Sequence, residues 1–189
     1  MRVISGTAGG LKLTAPRGVT TRPTTDRVKE ALFSILEHAG VLEEARVLDL
    51  FAGSGSLGIE ALSRGATSCT FVEKNRQALD ALQTNLSRTG CSRRATVLPQ
   101  DALRAIEKLS GTGARFTLAL IDPPYASGIQ CTVLEQVAGQ LMAADGLIVI
   151  ETSSRSALPE QIGCSTRHDR RVYGDTAIDF FVTEATDAP

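Results

Sequence analysis

Asp122-Pro123-Pro124-Tyr125 places a carboxylate, a proline carbonyl and an aromatic face along a few residues of stiffened backbone. Each proline fixes its own φ and removes one N–H donor. Read purely as structure, Pro123 and Pro124 make a rigid exit from a sheet. Read as chemistry, the four residues suit an exocyclic amine on a heteroaromatic ring. Such an amine is a poor nucleophile because its lone pair is delocalised into the ring. The Asp122 carboxylate and the Pro123 carbonyl can accept its two N–H bonds and turn the nitrogen toward tetrahedral geometry, which frees the lone pair. Tyr125 offers a face on which an extruded base can stack. No strong general base is needed, because the nitrogen sheds its proton during or after attack. Alignment and preorganised electrostatics then supply the acceleration.

A second cluster lies upstream, in Val47-Leu48-Asp49-Leu50-Phe51-Ala52-Gly53-Ser54-Gly55-Ser56-Leu57-Gly58. An apolar strand runs into a glycine turn that opens a helix. Gly53 and Gly55 let backbone turn tightly and approach a ligand, and the helix start presents free N–H groups to an anionic group. Gly53-x-Gly55-x-x-Gly58 also satisfies the dinucleotide fingerprint, with Glu73 at the remove expected of a ribose-binding acid. On this motif alone, a nicotinamide or flavin enzyme is as good a reading as a methyltransferase. Three acids separate them. Asp49, inside the strand end, would repel a pyrophosphate but attract the ammonium of a methionine moiety. Glu73 ends the next strand and can accept from ribose hydroxyls. Asp101 follows Val97-Leu98-Pro99-Gln100 and can accept from an adenine amine. The set fits S-adenosylmethionine, with Asp49, Phe51, Ala52, Gly53, Gly55, Glu73, Lys74, Asp101 and Ala102 as candidate cofactor residues. The plainer alternative makes each acid a helix N-cap, and it is strongest for Asp101.

These residues need a scaffold of alternating strands and helices, and the pattern supplies one. Apolar runs at Arg46–Phe51, Cys69–Val72, Ala95–Leu98, Phe116–Ile121 and Leu147–Ile150 read as strands. Helical segments lie between them at Ser56–Ser63, Arg76–Thr89, Asp101–Leu109 and Ile129–Met142, which predicts a parallel, doubly wound α/β sheet. Arg170–Tyr173 and Ala177–Val182 flank Gly174-Asp175, a hairpin turn signal. Before the sheet, Val28, Ala31, Leu32, Ile35 and Leu36 recur at helical spacing, so an amphipathic helix is expected over Asp26–His38. Val3-Ile4 and Leu11-Lys12-Leu13, separated by Gly6, Gly9 and Gly10, read as a small β-hairpin. The division expected is residues 1–22 as a hairpin arm and 23–189 as the catalytic domain.

The bulk figures fit one such domain. Hydrophobic residues make up 42% and charged residues 22% of the 189, the balance of an ordinary soluble globular chain. No apolar run approaches the ~20 residues that span a bilayer, and the N-terminus has no apolar signal region, so a cytoplasmic protein is expected. Cys69, Cys91, Cys131 and Cys164 lack C-x-x-C spacing and His38 and His168 lie far apart, so neither a disulfide framework nor a metal site is expected. Charge is unevenly spread. Residues 1–30 hold six basic side chains against two acids, a net of +4, and the remainder carries −5. A basic arm on an acidic body suits a polyanionic partner. Arg2, Lys12, Arg17, Arg22, Arg27 and Lys29 are the candidate phosphate contacts, and the Arg22–Arg27 segment is expected to lie beside the cofactor pocket and link it to the nucleic acid.

Together these stretches resemble the RsmD family, bacterial enzymes that methylate a guanine N2 in 16S ribosomal RNA. The resemblance is carried by Thr21–Phe33 (TRPTTDRVKEALF), Val47–Ala66 (VLDLFAGSGSLGIEALSRGA), DPPY at Asp122–Tyr125 and Arg171–Thr176 (RVYGDT). It implies a Rossmann-like methyltransferase fold with a seven-stranded, mostly parallel sheet ending in an antiparallel hairpin, and an N-terminal hairpin that helps grip RNA. It also implies S-adenosylmethionine as methyl donor, Asp122 and Tyr125 at the target base, Glu73 at the ribose, and ribosomal RNA within a small-subunit assembly as partner. A monomer is expected. Members commonly carry more cations in the first hairpin than Gly6–Lys12 does here, which should flatten the salt dependence of RNA binding. Three alternatives stay open at this level. A DNA adenine-N6 or cytosine-N4 methyltransferase would share DPPY but normally needs a larger recognition region. A protein glutamine methyltransferase typically has Asn in place of Asp122. A non-catalytic RNA-binding assembly module would have no need of all these residues.

Overall fold

The computed structural model describes residues 1–16, 26–124 and 128–184. Arg17, Arg22 and Tyr125, and the boundary drawn at residue 22, lie outside those residues. Five strands run parallel: β1 (Arg46–Leu50), β2 (Ser68–Val72), β3 (Ala95–Leu98), β4 (Phe116–Ile121) and β5 (Met142–Ser153). Three follow in antiparallel succession: β6 (Gln161–Ile162), β7 (Ser165–Tyr173) and β8 (Thr176–Thr183). The spatial order is β3-β2-β1-β4-β5-β8-β7-β6. The sheet therefore has eight strands where seven were expected. The additional one, β6, is a two-residue edge piece, too short to show any two-residue period. Tyr173 pairs with Thr176, so Gly174-Asp175 forms the anticipated two-residue turn.

Helices α1 (Asp26–His38), α2 (Ser56–Ser63), α3 (Arg76–Arg88), α4 (Ala102–Gly111) and α5 (Gln130–Gln140) cover the sheet. Successive strand residues point to opposite faces, and the apolar strands sort themselves accordingly. Val47, Leu118, Leu120 and Val149 pack with α1, α2 and α3. Leu48, Leu50, Ala119, Ile121, Ile148 and Ile150 pack with α4 and α5. Burial on both faces explains why these strands read as unbroken apolar runs rather than alternating ones. Asn75 caps α3 by accepting from the Ala78 N–H, and Asp101 caps α4 by accepting from that of Leu103. No helix among the described residues is long and apolar enough to cross a membrane.

The first sixteen residues do form a hairpin-like turn. Arg2 and Lys12 make an antiparallel bridge, and the Val3 N–H donates to the Leu11 carbonyl at 2.9 Å. They are also seated on the domain. Val3, Ala8 and Leu13 are buried in the core beneath α1, α2 and α3. Gly6, at φ +82°, sits so close to α2 that a Cβ there would lie 1.9 Å from the Ser63 carbonyl oxygen. The Glu60 carboxylate of α2 accepts from the Ile4 and Ser5 N–H groups at 2.7 and 3.1 Å, and Ser63 Oγ accepts from the Ala8 N–H.

Lys29 completes this joint. Its side chain is 0% exposed; its ammonium lies 3.3 Å from Glu60 Oε2 and donates to the Arg2 carbonyl and Ser56 Oγ. The expectation that Lys29 reaches phosphates is therefore corrected. It is an internal cation that ties α1, α2 and the hairpin together, and burial pulls its pKa below the usual lysine value.

Candidate active site

The parallel strands end in a row along one edge, and the acids stand on that row. In spatial order these are Asp101 just after β3, Glu73 after β2, the glycine loop after β1, Asp122 after β4, and Glu151 near the end of β5. The chain order reverses between β1 and β4, which makes this the switch-point crevice where open α/β sheets bind ligands. The Ala52, Glu73 and Asp122 N–H groups continue the ladder one step beyond the strands, donating to the Val72, Leu98 and Leu50 carbonyls.

Phe51 leaves β1 in the left-handed region, at φ 66°, followed by Gly53 at 55° and Gly55 at 80°. The three glycines serve different ends. A Cβ on Gly55 would meet Leu82 Cδ1 at 2.3 Å, and one on Gly58 would meet Phe71 Cε1 at 2.4 Å, so these two let the helices close onto the sheet. A Cβ on Gly53 would meet nothing within 4 Å. Its outer side is open, as a ligand-facing turn requires.

Glu73 braces the open turn. Its Oε2 accepts from the Gly53 N–H at 2.8 Å, and Oε1 accepts from the Lys74 and Asn75 N–H groups at 2.8 and 2.7 Å. A carboxylate has about four acceptor positions, so Glu73 retains capacity for a ribose hydroxyl. Lys74 Nζ donates to Asp101 Oδ2 at 3.1 Å, joining the ends of β2 and β3 across the surface. That bond holds the Asp101 pKa below its usual value. Asp101 thus serves as the helix cap, with its second oxygen on Lys74, and Ala102 is buried at the start of α4.

Asp49 is 2% exposed and lies beneath the loop, accepting from the Gly58 N–H at 2.9 Å. Burial raises its pKa from 3.8 to about 7, against the pull of that hydrogen bond. Asp122 is half-buried; burial first, then the Glu151 and Asp49 carboxylates, push its pKa well above the ordinary range. Glycine loop, ribose-level acid and buried acids together match the donor set that an adenosyl group bearing a cationic methionine end would use.

Glu151 was absent from the residues singled out in the sequence. It follows Leu147–Ile150 as Glu73 follows β2, an acid at the end of an apolar strand, and that shared position is the signal that could have found it. It is 8% exposed and borders a small apolar cavity of about 10 Å³ with Leu32, Leu57 and Leu120. The larger cleft, about 290 Å³ and lined by Arg115, Met142, Thr183 and Glu184, opens at the opposite edge of the sheet, away from these acids.

Of the remaining cations expected at RNA, Arg2, Lys12 and Arg27 are exposed. Arg2 lies 3.8 Å from Asp26 at the start of α1, and Ser54 Oγ of the glycine loop contacts Met1 Sδ at 3.7 Å. Asn85 of α3 exchanges hydrogen bonds with the Thr14 backbone and donates to the Ser54 carbonyl. The hairpin therefore stands next to the glycine loop.

Comparison with known proteins agrees with this geometry. The model of the family described as conserved hypothetical protein 95 matches residues 1–182. Ribosomal RNA small subunit methyltransferase D of Escherichia coli is 35% identical over 98% of this chain and 91% of its own. The protein of the same name from Haemophilus influenzae is 34% identical over 84% of this chain and 81% of its own. Among solved structures, a hypothetical protein of Thermus thermophilus superposes with a TM-score of 0.84 at 34% identity, covering 98% of this chain and 99% of that one. An RNA methyltransferase from Salinibacter ruber, solved with S-adenosyl-L-homocysteine, shares the fold with a TM-score of 0.66 at 16% identity, over 88% of this chain and 96% of that one. The chain thus has the fold of S-adenosylmethionine-dependent methyltransferases and belongs to the conserved hypothetical protein 95 family, that of ribosomal RNA small subunit methyltransferase D.

Proposed function

We propose that the protein transfers a methyl group from S-adenosylmethionine to the exocyclic N2 amine of a guanine in 16S ribosomal RNA. The observation that carries this reading is the position of Asp122, next to the glycine loop across the β1/β4 switch point and in electrostatic contact with Asp49. When bound, S-adenosylmethionine supplies an electrophilic methyl on a sulfonium. The protein's part is to hold and orient. Gly53 gives close approach, Gly55 carries the turn into α2 beside the cofactor, Glu73 takes a ribose hydroxyl, Asp101 and Ala102 flank the adenine, and Asp49 supports the loop under the cationic methionine end. Asp122 and the Pro123 carbonyl take the amine N–H bonds, with Pro124 fixing the backbone and Tyr125 stacking on the base. Arg2, Lys12 and Arg27, with Arg17 and Arg22, hold phosphates of the RNA as it is presented in a small-subunit assembly. The enzyme acts as a monomer, its first 22 residues serving as the RNA-gripping arm.

The test is nucleoside mass spectrometry of ribosomal RNA from cells lacking the protein. Loss of one N2-methylguanosine is expected, restored by the parent gene. An unchanged profile refutes the proposal, and loss of N6-methyladenosine or N4-methylcytidine instead would reassign the target amine.

A further inference from the structure

The parallel register carries Glu151 to the side of Asp122. Ile121 of β4 pairs with Ile150 of β5, and the acid is the next residue in each case, Glu151 within β5 and Asp122 just past the end of β4, where its N–H still donates to the Leu50 carbonyl. Neighbouring strands lie about 4.8 Å apart. The two acids also share a face. Leu120 and Val149, two residues before them, both pack toward α1 and α2, and Glu151 borders the cavity with Leu32 and Leu57 on that side. Asp49, whose carboxylate bonds to Gly58 of α2, faces the same way. Asp122 is therefore one of two adjacent acids where the target amine is expected.

A single acceptor holds any base amine; a second one beside it distinguishes between bases. Guanine presents two neighbouring donors, the ring N1–H and the exocyclic N2 amine. Adenine sets its N6 amine beside N1, and cytosine sets its N4 amine beside N3; both ring nitrogens are acceptors. A carboxylate aimed at that ring position attracts guanine and repels the other two. We infer that Glu151 selects guanine by accepting the ring N1–H, while Asp122 and the Pro123 carbonyl accept the two N–H bonds of the adjacent amine. This rests on the guanine-N2 reading above and supplies a physical reason for it. With about four acceptor positions on a carboxylate, Glu151 can hold the base alongside a protein partner.

2-Aminopurine probes the contact, because it keeps the exocyclic amine but its N1 is an acceptor; it also lacks the O6 carbonyl, so the comparison with Glu151→Gln assigns the effect to this side chain. The substrate is whichever form the parent methylates, bare ribosomal RNA or reconstituted small subunits, with the mapped target guanine replaced by 2-aminopurine. The parent enzyme is expected to lose roughly 30- to 100-fold in kcat/KM, the range for one charge-assisted hydrogen bond replaced by a repulsive contact. In Glu151→Gln the side-chain amide can donate to N1 of 2-aminopurine. Activity on guanine should fall while the preference for guanine over 2-aminopurine shrinks to within about threefold, because one hydrogen bond then serves either base. A parent enzyme that treats both bases alike overturns the inference without reference to any variant, as does an E151Q enzyme that keeps the parent's preference. If the parent forms no N2-methylguanosine on unmodified substrate, the guanine-N2 reading fails first, and that result is distinct from either of these.

Discussion

Asp49 ties the chemistry of the loop to the stability of the fold. Its folded pKa is about 7, raised by burial, against 3.8 for the unfolded group. Between those values only the folded protein keeps the proton, so stability falls as pH rises through that window, by up to about 4 kcal/mol. Asp49→Asn removes the titration, since its amide oxygen can still accept from Gly58. Its stability relative to the parent should improve steadily from pH 4 to pH 7 and then level off. Urea unfolding across that range checks this, and a constant difference would mean that Asp49 ionises freely. Asp122→Ala should lower kcat by about 10²- to 10³-fold, as removal of a preorganised polar partner does elsewhere, while calorimetry finds adenosylhomocysteine affinity largely intact. Equal loss of both would place Asp122 in the cofactor site. At this scale the sequence was most informative where a residue's type and its strand-end position agreed, as for Asp49, Glu73 and Asp122. Asp101 was open to two readings, and it does cap α4. Glu151 carried the same strand-end signal and went unread; its pairing with Asp122 is what only the β4–β5 register supplies.

Among the elements, the joint between the hairpin, α1 and α2 converges on one carboxylate. Glu60 receives the Ile4 and Ser5 N–H groups, the Lys29 ammonium and the Arg64 guanidinium, and its side chain is fully buried. Glu60→Ala strands a buried lysine, which should cost about 3–5 kcal/mol, and hydrogen exchange at residues 3–14 should accelerate with it. If exchange there stays slow, the apolar contacts of Val3, Ala8 and Leu13 hold the hairpin by themselves. Element types were legible because period and caps agreed: α1 and α2 begin and end where expected, and Asn75 and Asp101 cap the next two helices. The docking of the hairpin was not, because it depends on long-range partners such as Ser63 and Asn85. Lys29 shows the same limit. Read by charge it is a phosphate contact, yet it lies four residues before Phe33 and seven before Leu36, both fully buried. That stripe is the better guide to its position.

For the whole molecule, the uneven charge becomes a binding prediction. Arg2, Lys12 and Arg27 are exposed, whereas Lys29 is enclosed. Neutralising each exposed cation should reduce the slope of log K against log salt by about 0.7–0.9 if it meets a phosphate. Lys29→Met should leave that slope unchanged, whatever it does to stability. Titrations of ribosomal RNA at several salt concentrations measure this, and identical slopes for the parent and Arg27→Gln would remove Arg27 from the interface. The two ends of the described chain also bear on how the protein can be handled. Met1 touches Ser54 of the glycine loop, while Thr183, at the close of β8, bonds to the Ala143 and Gly146 carbonyls at the far edge of the sheet. A purification tag or fluorescent fusion attached ahead of Met1 would emerge against the crevice and crowd its mouth, whereas one attached after Pro189, five residues on from Glu184 at the remote rim, leaves the approach of ribosomal RNA clear.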